Sequence, residues 1–360
     1  MSTSTSTSTS RRTSTSSNAR ITAIDVITRA EDLAALESEW DALHPPTPFQ
    51  SSAWLLPWWR AFAAGELCTI VCREGRDLVA LAPLFVVRRR AEGPREVQLV
   101  GTGNTDYLDI LARDEHAQTC AELILEVLAD RAQDREGGGW DVCDFRNLRP
   151  GSPLRSAAVP EGVMARHLDE APCPTLDLRE PLPSAIAHDI AYGRRRAERD
   201  GGLRVQHSRD ISVDADAAMD ALFALHAMRW RARGEQGMLH DAATRAFHRD
   251  VARASRRPGR SASTLQLLTL SLGDTPIAAH YGFVHDRRAY YYLGGFDPRF
   301  AKVNAGTLAI AAAIDDARAR GATTFDFLGG GEAYKYAWGA TDEPRTRRIL
   351  HRALHASSGR

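Results

Sequence analysis

Apolar and polar positions along this chain fall into two successive blocks of the same order. From Ile21, "ITAIDVI" alternates as a strand does, and "EDLAALESEWDAL" sets Leu33, Leu36, Trp40 and Leu43 on one helical face. "SSAWLLPWWRAF" predicts a second helix with a Ser cap and Pro57 near its first turn. "LCTIVCREG", "DLVALAPLFVVRRR" and "REVQLVGTG" predict three strands joined by Gly-containing turns, and "DYLDILARD" a further short one. A helix carrying Ala121, Ile124, Leu125, Leu128 and Ala132 then leads to the strand "WDVCDF".

The second block repeats this order. "LRVQHS" reads as a strand, and "AAMDALFALHAMRWRARG" and "AATRAFHRDVARASRR" read as helices. "TLQLLTLSLGDTPIAAHYGFVHDRRAYYYLGGF" predicts three strands joined by Gly-Asp and Asp-Arg turns. A helix with Ala305, Leu308, Ala309, Ala312 and Ala313 on one face leads into the strand "TTFDFLG". The self-similarity predicts two copies of one mixed α/β unit, over residues 20–150 and 184–360. The stretch 151–183, rich in Pro, Gly and charge, is expected to be a crossover linker.

Composition narrows the function classes. The chain has 360 residues, with 46 Lys and Arg balancing 46 Asp and Glu. That balance argues against a nucleic-acid-coating surface, so no DNA partner is expected, and it leaves little solubility margin against a homodimer. Residues 1–19, a Ser/Thr repeat, cannot bury enough apolar surface to order and are expected to be a disordered tail. The five cysteines, Cys68, Cys72, Cys120, Cys143 and Cys173, are scattered without a CxxC, which suggests reduced thiols and a cytoplasmic protein. No apolar run approaches ~20 residues, so no membrane insertion is implied. GxSxG, HExxH and Walker A motifs are absent, and the histidines show no metal spacing.

Several stretches together carry a family resemblance: "PFQSSAWLLPWWRAF", "VALAPL", "GTGNTDYLDIL", "YGRRRAERDGGLRV", "HAMRWRARGEQG" and "FDFLGGGEAYKYAWG". In this order they resemble the tandem GNAT acetyltransferases of the CelD-like or BioF-like type, associated with polysaccharide biosynthesis, and their relatives the Fem peptidyltransferases. The resemblance implies two tandem GNAT-like domains. It also implies acetyl-CoA or another acyl-CoA as co-substrate, with a small-molecule amine as acceptor. In that fold the pantetheine arm lies between two splayed parallel strands, here "RRAYYYLGGF" and "TTFDFLG", and the pyrophosphate sits on the N-terminus of the helix joining them. Asn304, Ala305, Gly306 and Thr307 become the cradle, with Arg299 and Lys302 adding positive charge. Only one glycine stands in that turn, a departure from the GNAT signature, and Gly306 can equally serve close helix–sheet packing.

The stretch from Phe325 to Gly339 is the expected reaction site. Alternation along its strand sends Asp326 away from Phe325 and Phe327, and the glycines release the chain at the strand's C-terminal edge. Asp326 and Glu332 are candidate bases, Tyr334 or Tyr336 the proton donor to the departing sulfur, and Lys335 resembles the Fem lysine that stabilises the reacting carbonyl. The plain alternative is an amphipathic helix whose Glu332 and Lys335 form a solvated pair. Asn104, Asp106, Tyr107 and Asp109 are expected to border the acceptor groove, and Arg194, Arg195 or Arg199 to hold an anionic group. His280 lies mid-strand and Tyr292 shares a cleft-facing register, so both are candidate substrate contacts; His226 reads as a core residue. In the first block "WDVCDFRNL" offers only Arg146 and Asn147, so the donor site is assigned to the second.

The function expected is thus N-acyl transfer to an amine of a small metabolite or amino sugar. Two other readings stay open: an aminoacyl-tRNA-dependent Fem-like transferase, which the neutral charge and lack of a long coiled-coil insertion disfavour, and a non-catalytic accessory protein of exopolysaccharide production.

Overall fold

The computed structural model describes residues 21–63, 65–132, 139–208, 210, 214–257 and 265–352; the Ser/Thr tail lies outside them. The chain forms two compact units, the first of residues up to 59, 63–170 and from 345 on, the second of residues 60–62 and 171–344.

The first unit contains β1 (Ala23–Ile27), α1 (Ala30–Ala35), α2 (Glu37–Asp41), α3 (Ser52–Phe62), β2 (Glu66–Leu67), β3 (Thr69–Glu74), β4 (Asp77–Ala82), β5 (Leu84–Arg88), β6 (Arg95–Leu99), β7 (Leu111–Ala112), α4 (Ala117–Arg131), β8 (Val142–Leu148), α5 (Pro153–Ser156) and the start of β9 (Val163–Asp177). The continuous strand expected over "DLVALAPLFVVRRR" is cut by Pro83, which has no N–H to give a ladder. β4 therefore pairs with β3, and β5 pairs with β6. β6 and β8 run parallel over only three pairs, ending at Gln98↔Asp144. Of "DYLDILARD" only Leu111–Ala112 is strand. Buried indoles keep their hydrogen bonds: Trp40 Nε1 donates to the Gln50 carbonyl at 2.9 Å and Trp54 Nε1 to Thr105 Oγ1 at 2.9 Å.

The second unit contains α6 (Ser184–Arg199), β10 (Leu203–His207), α7 (Ala215–Arg231), α8 (Ala242–Ser255), β11 (Leu265–Leu272), β12 (Thr275–His285), β13 (Arg288–Phe296), α9 (Ala305–Ala319), β14 (Thr324–Asp326), α10 (Ala333–Ala337) and the start of β15 (Thr341–Arg352). β10 to β13 form an antiparallel meander, and β14 adds to β13 in parallel. Leu268, Leu270, Ala278, Tyr291 and Phe325 pack in one apolar core with Ile190 of α6 and Leu308, Ala313 and Ile314 of α9. The order strand, helices, antiparallel strands, helix, strand recurs from the first unit, as the internal repeat predicts, while α6 ahead of β10 has no counterpart there. The fold is mixed α/β.

The units exchange their last strands. Residues 175–177 of β9 pair antiparallel with β14 in the second unit, and residues 346–351 of β15 pair antiparallel with β8 in the first. The stretch 151–183, expected as a linker, thus carries α5 and a 15-residue strand. β15 eludes hydropathy reading because Arg345 and Arg348 are buried in it. Their guanidinium groups are satisfied: Arg348 donates to the carbonyls of Leu154 and of Ala157, the latter at 2.7 Å, and Arg345 to Asp106 and Asn147.

Candidate functional site

The parallel pair β13–β14 is short. It holds over Arg288↔Thr324, Ala289↔Phe325 and Tyr290↔Asp326, and β13 then runs on to Phe296 bonded to β12. A register shift between Tyr281 and Gly282 places Tyr292 as the extra residue, a bulge that bends β13 at the point where its two neighbours part. The strands are therefore forked from Tyr291 onward. Two glycines shape the fork. A Cβ on Gly294 would fall 2.2 Å from the Tyr291 hydroxyl, and one on Gly295 2.3 Å from the His226 backbone nitrogen. Their absence lets Tyr291 fold back along the open edge and lets α7 press against it.

Arg229 of α7, a residue with no expected role on an expected helix, closes over this edge. Its Nη1 donates to the Gly294 carbonyl at 3.2 Å, and its guanidinium lies 5.3 Å from the Phe296 ring centroid. Its Nε is buried and, among the described residues, has no hydrogen-bond partner, while the guanidinium lies beside the Tyr291 hydroxyl. The signal lay in "HAMRWRARGEQG", where an arginine sits beside Trp230 and one turn after His226.

The chain leaves β14 through a strained turn. Leu328 has φ 58°, a left-handed conformation costly for a branched side chain, and two anchors hold it. Asp326 Oδ1 accepts the Leu328 N–H at 2.8 Å, and Lys335 Nζ donates to the Leu328, Gly329 and Gly330 carbonyls at 3.1, 2.8 and 3.0 Å. Lys335 is 2% exposed and also lies 2.9 Å from Glu332 Oε2. Its three protons are thus already claimed by the loop and Glu332. The geometry makes it a clamp on the glycine turn, a set of contacts that the Fem resemblance did not imply.

Glu332 is open to solvent, with 58% of its side chain exposed. Burial pushes its carboxyl up, but the Lys335 hydrogen bond and the Arg229 charge outweigh this and hold it below the usual range. Tyr334 is half-buried and packs edge-on to Phe327 at 6.3 Å. Burial, with Tyr291 and Glu332 nearby, raises its hydroxyl and keeps it protonated. Glu332, Tyr334, Lys335, Tyr291 and Arg229 therefore share one neighbourhood at the mouth of the fork.

Other expected site residues stand elsewhere. Asp326 is fully buried and accepts Arg288 Nη1 at 3.0 Å, while Arg288 also bridges to Glu343. That makes it an anchor, with no free face to act as a base. Tyr336 is exposed, its hydroxyl donating to Asp342 at 2.7 Å. His280 is fully buried; Gln266 Nε2 donates to Asp316 at 2.8 Å, so Gln266 Oε1 faces His280 Nε2 at 3.0 Å and fixes the proton there. Tyr292 packs against His248 and Tyr281. Asp106 pairs with Arg345 at 3.0 Å, Tyr107 is 2% exposed, and the backbone N–H of Asn104 donates to the Gly101 carbonyl. Arg194 pairs with Asp315 at 2.7 Å, and Arg195 is exposed.

At the cradle, Asn304 caps α9 in a left-handed conformation (φ 54°) without a side-chain cap bond, so the amides of residues 305–307 lack helical partners. Arg299 is tied to Asp297 by a forked ion pair, Lys302 is exposed, and a Cβ on Gly306 would meet the Phe296 ring at 3.1 Å.

Three buried histidines of this unit set an acid limit. Burial lowers His226 to about 4 and His248 and His280 to about 3. Because these folded values lie below the ordinary one, the unfolded chain takes up protons first as pH falls. The stability they contribute is full above about pH 6.5 and declines toward pH 4, by about 2 kcal/mol per histidine at pH 5. Melting temperatures measured from pH 7.5 to 5 should fall accordingly, and His248→Phe, in its aromatic surroundings, should flatten the slope.

Residues 184–336 match the family model of the acetyltransferase (GNAT) domain. A search of curated proteins returned no match. Among solved structures the chain is similar to FemX, at 10% identity with TM-score 0.59, covering 86% of this chain and 95% of that one. It is also similar to L-PGS from Bacillus licheniformis, at 12% identity with TM-score 0.54, covering 90% and 93%. A conserved protein of unknown function from Bacteroides thetaiotaomicron gives 10% identity and TM-score 0.56, covering 92% and 100%. These likenesses concern the fold. With the GNAT match and the internal repeat, they make the chain two tandem GNAT-like domains.

Proposed function

We propose that the second unit is an acyl-CoA-dependent N-acyltransferase, moving an acetyl or longer acyl group to the amine of a small metabolite or amino sugar by direct attack. The observation that carries this is the fork itself: the parallel pairing stops at Tyr290↔Asp326 while β13 continues to Phe296. Three further features fit such a donor. They are the uncapped amides at the start of α9, the small residues Gly294 and Gly295 along the open edge, and the orphaned Arg229 Nε beside it.

A bound acyl-CoA supplies an activated thioester carbonyl. The work left to the chain is orientation and two proton movements. Glu332, ionised and solvent-exposed, accepts a proton from the incoming ammonium. Tyr334 retains its proton and donates it to the sulfur that departs. Lys335 fixes the loop that places both, and Arg229 adds positive charge at the mouth. All five cysteines are buried thiols, which fits a reducing compartment and a cytoplasmic setting. The acceptor class extends the CelD-like or BioF-like resemblance, toward amines of polysaccharide biosynthesis.

Calorimetry with acetyl-CoA tests the reading. Gly306→Glu adds a side chain against Phe296 and a negative charge at the helix N-terminus, and should weaken binding about tenfold or more. A wild-type protein that neither binds acetyl-CoA nor releases thiol across an amine panel would contradict it.

A further inference from the structure

The first unit's own fork is filled. The Leu108 N–H donates to the Asn147 carbonyl at 3.4 Å, Asn147 Nδ2 to the Thr105 carbonyl at 2.7 Å, and Arg345 Nη1 to the Asp106 carbonyl at 3.0 Å. Residues 105–108 are thus bonded to the end of β8 and to Arg345 within the first unit. Beside this plug, however, lies a cavity of about 580 Å³, within the range of small-molecule sites. Leu43, Tyr107, Asp109, Leu111, Arg149 and Ser152 line it. It opens where the chain leaves β8, the place that corresponds in the second unit to the glycine turn after β14.

The charges in this cavity are unevenly committed. Asp109 is bound by the Ile110 N–H at 2.8 Å and receives hydrogen bonds from the Ser152 hydroxyl and the Leu154 N–H, so its carboxyl staples the loop to α5. Arg149 is half-buried, with its guanidinium 5.7 Å from the Tyr107 ring centroid; its charge interacts with the Asp109 carboxyl, but its N–H groups donate to no described residue. A stacked planar cation with unused donors is built to receive a carboxylate or phosphate in fork geometry. Arg113 and the exposed Asp114 and Glu115 also line the cavity; two acids against one base leave a negative surplus there, which favours a monoanion over a dianion. The apolar wall offers a place for a hydrocarbon body.

We propose that this cavity is a second small-molecule site, in which Arg149, stacked on Tyr107, takes the carboxylate of a small organic monoanion whose apolar body lies against Leu43 and Leu111. The site does not depend on the acyl-transfer reading.

Titration of the full chain with benzoate and with phenyl phosphate, followed by saturation-transfer NMR, tests it. Benzoate should bind, and more tightly than the phosphate. Arg149→Met should weaken benzoate about tenfold, the loss of one charge-assisted hydrogen bond. Arg245→Met, the same change of charge on an exposed position of α8, should leave benzoate binding as it was. No binding of either probe, equal benzoate binding in wild type and Arg149→Met, or tighter binding of phenyl phosphate would each overturn the proposal. If Arg149→Met fails to fold, the wild-type Arg149 Nε–Hε resonance, assigned with Arg149→Lys, should shift on adding benzoate. An unmoved resonance overturns the proposal.

Discussion

Lys335→Met is expected to lower the melting temperature of the second unit and to abolish turnover together. The methionine keeps the bulk but strands the Leu328, Gly329 and Gly330 carbonyls that the ammonium now satisfies. Leaving these acceptors, buried at Leu328 and part-buried at Gly329 and Gly330, unpaired should cost about 3 kcal/mol in all, or roughly 6–12 °C for a unit of this size. The left-handed Leu328 would lose one of its two anchors, and Glu332 would lose the partner that holds it ionised. The outcome distinguishes two roles for one residue. A clamp predicts lost stability and lost turnover; a purely chemical charge predicts lost turnover at unchanged melting temperature. Full stability with full turnover would remove Lys335 from both roles.

Tyr334→Phe is expected to reduce kcat on the order of a hundredfold while changing acetyl-CoA affinity little, as removal of a general acid does. Burial and neighbouring Tyr291 and Glu332 keep the hydroxyl protonated at neutral pH, so the proton is present when the thiolate forms. Tyr336→Phe is the internal control. Its hydroxyl bonds to Asp342 on the exposed side, so kcat should stay within about twofold of wild type, an effect too small for an acid catalyst. Steady-state kinetics by thiol release would read both. A reversed ranking of the two tyrosines would move the proton donor to Tyr336 and strip Tyr334 of its role at the leaving sulfur.

The repeat and the order of elements were legible because each strand and helix of the two cores carries its own apolar period, and period survives divergence of sequence. The exchanged strands were not. β9 alternates weakly, mostly exposed over its first half and interrupted by Pro172 and Pro174, so its composition imitates a linker. β15 hides its inward positions behind Arg345, Thr346 and Arg348, polar residues whose burial depends on acceptors far away in the sequence. At the site, the turn after β14 announced itself through three glycines and an acid–tyrosine–lysine run. What a linear reading cannot supply is which charges are already spent. Asp326 and Lys335 looked available, and the fold commits both, one to Arg288 and the other to backbone carbonyls. Arg229 was overlooked for the converse reason: on an otherwise core-forming helix, only the glycine pair of β13 reveals that it overhangs an open edge.

The traded strands also carry a consequence for biosynthesis. During translation the β8 edge stays bare until residues 346–351 have left the ribosome, because they are what cover it. The earlier repeat must wait for a segment made after the later one, holding an exposed edge that invites mispairing in the meantime. Cutting the gene between the repeats would therefore yield two fragments that each lack a piece of the other. Mixed together, they should recover solubility that neither has alone.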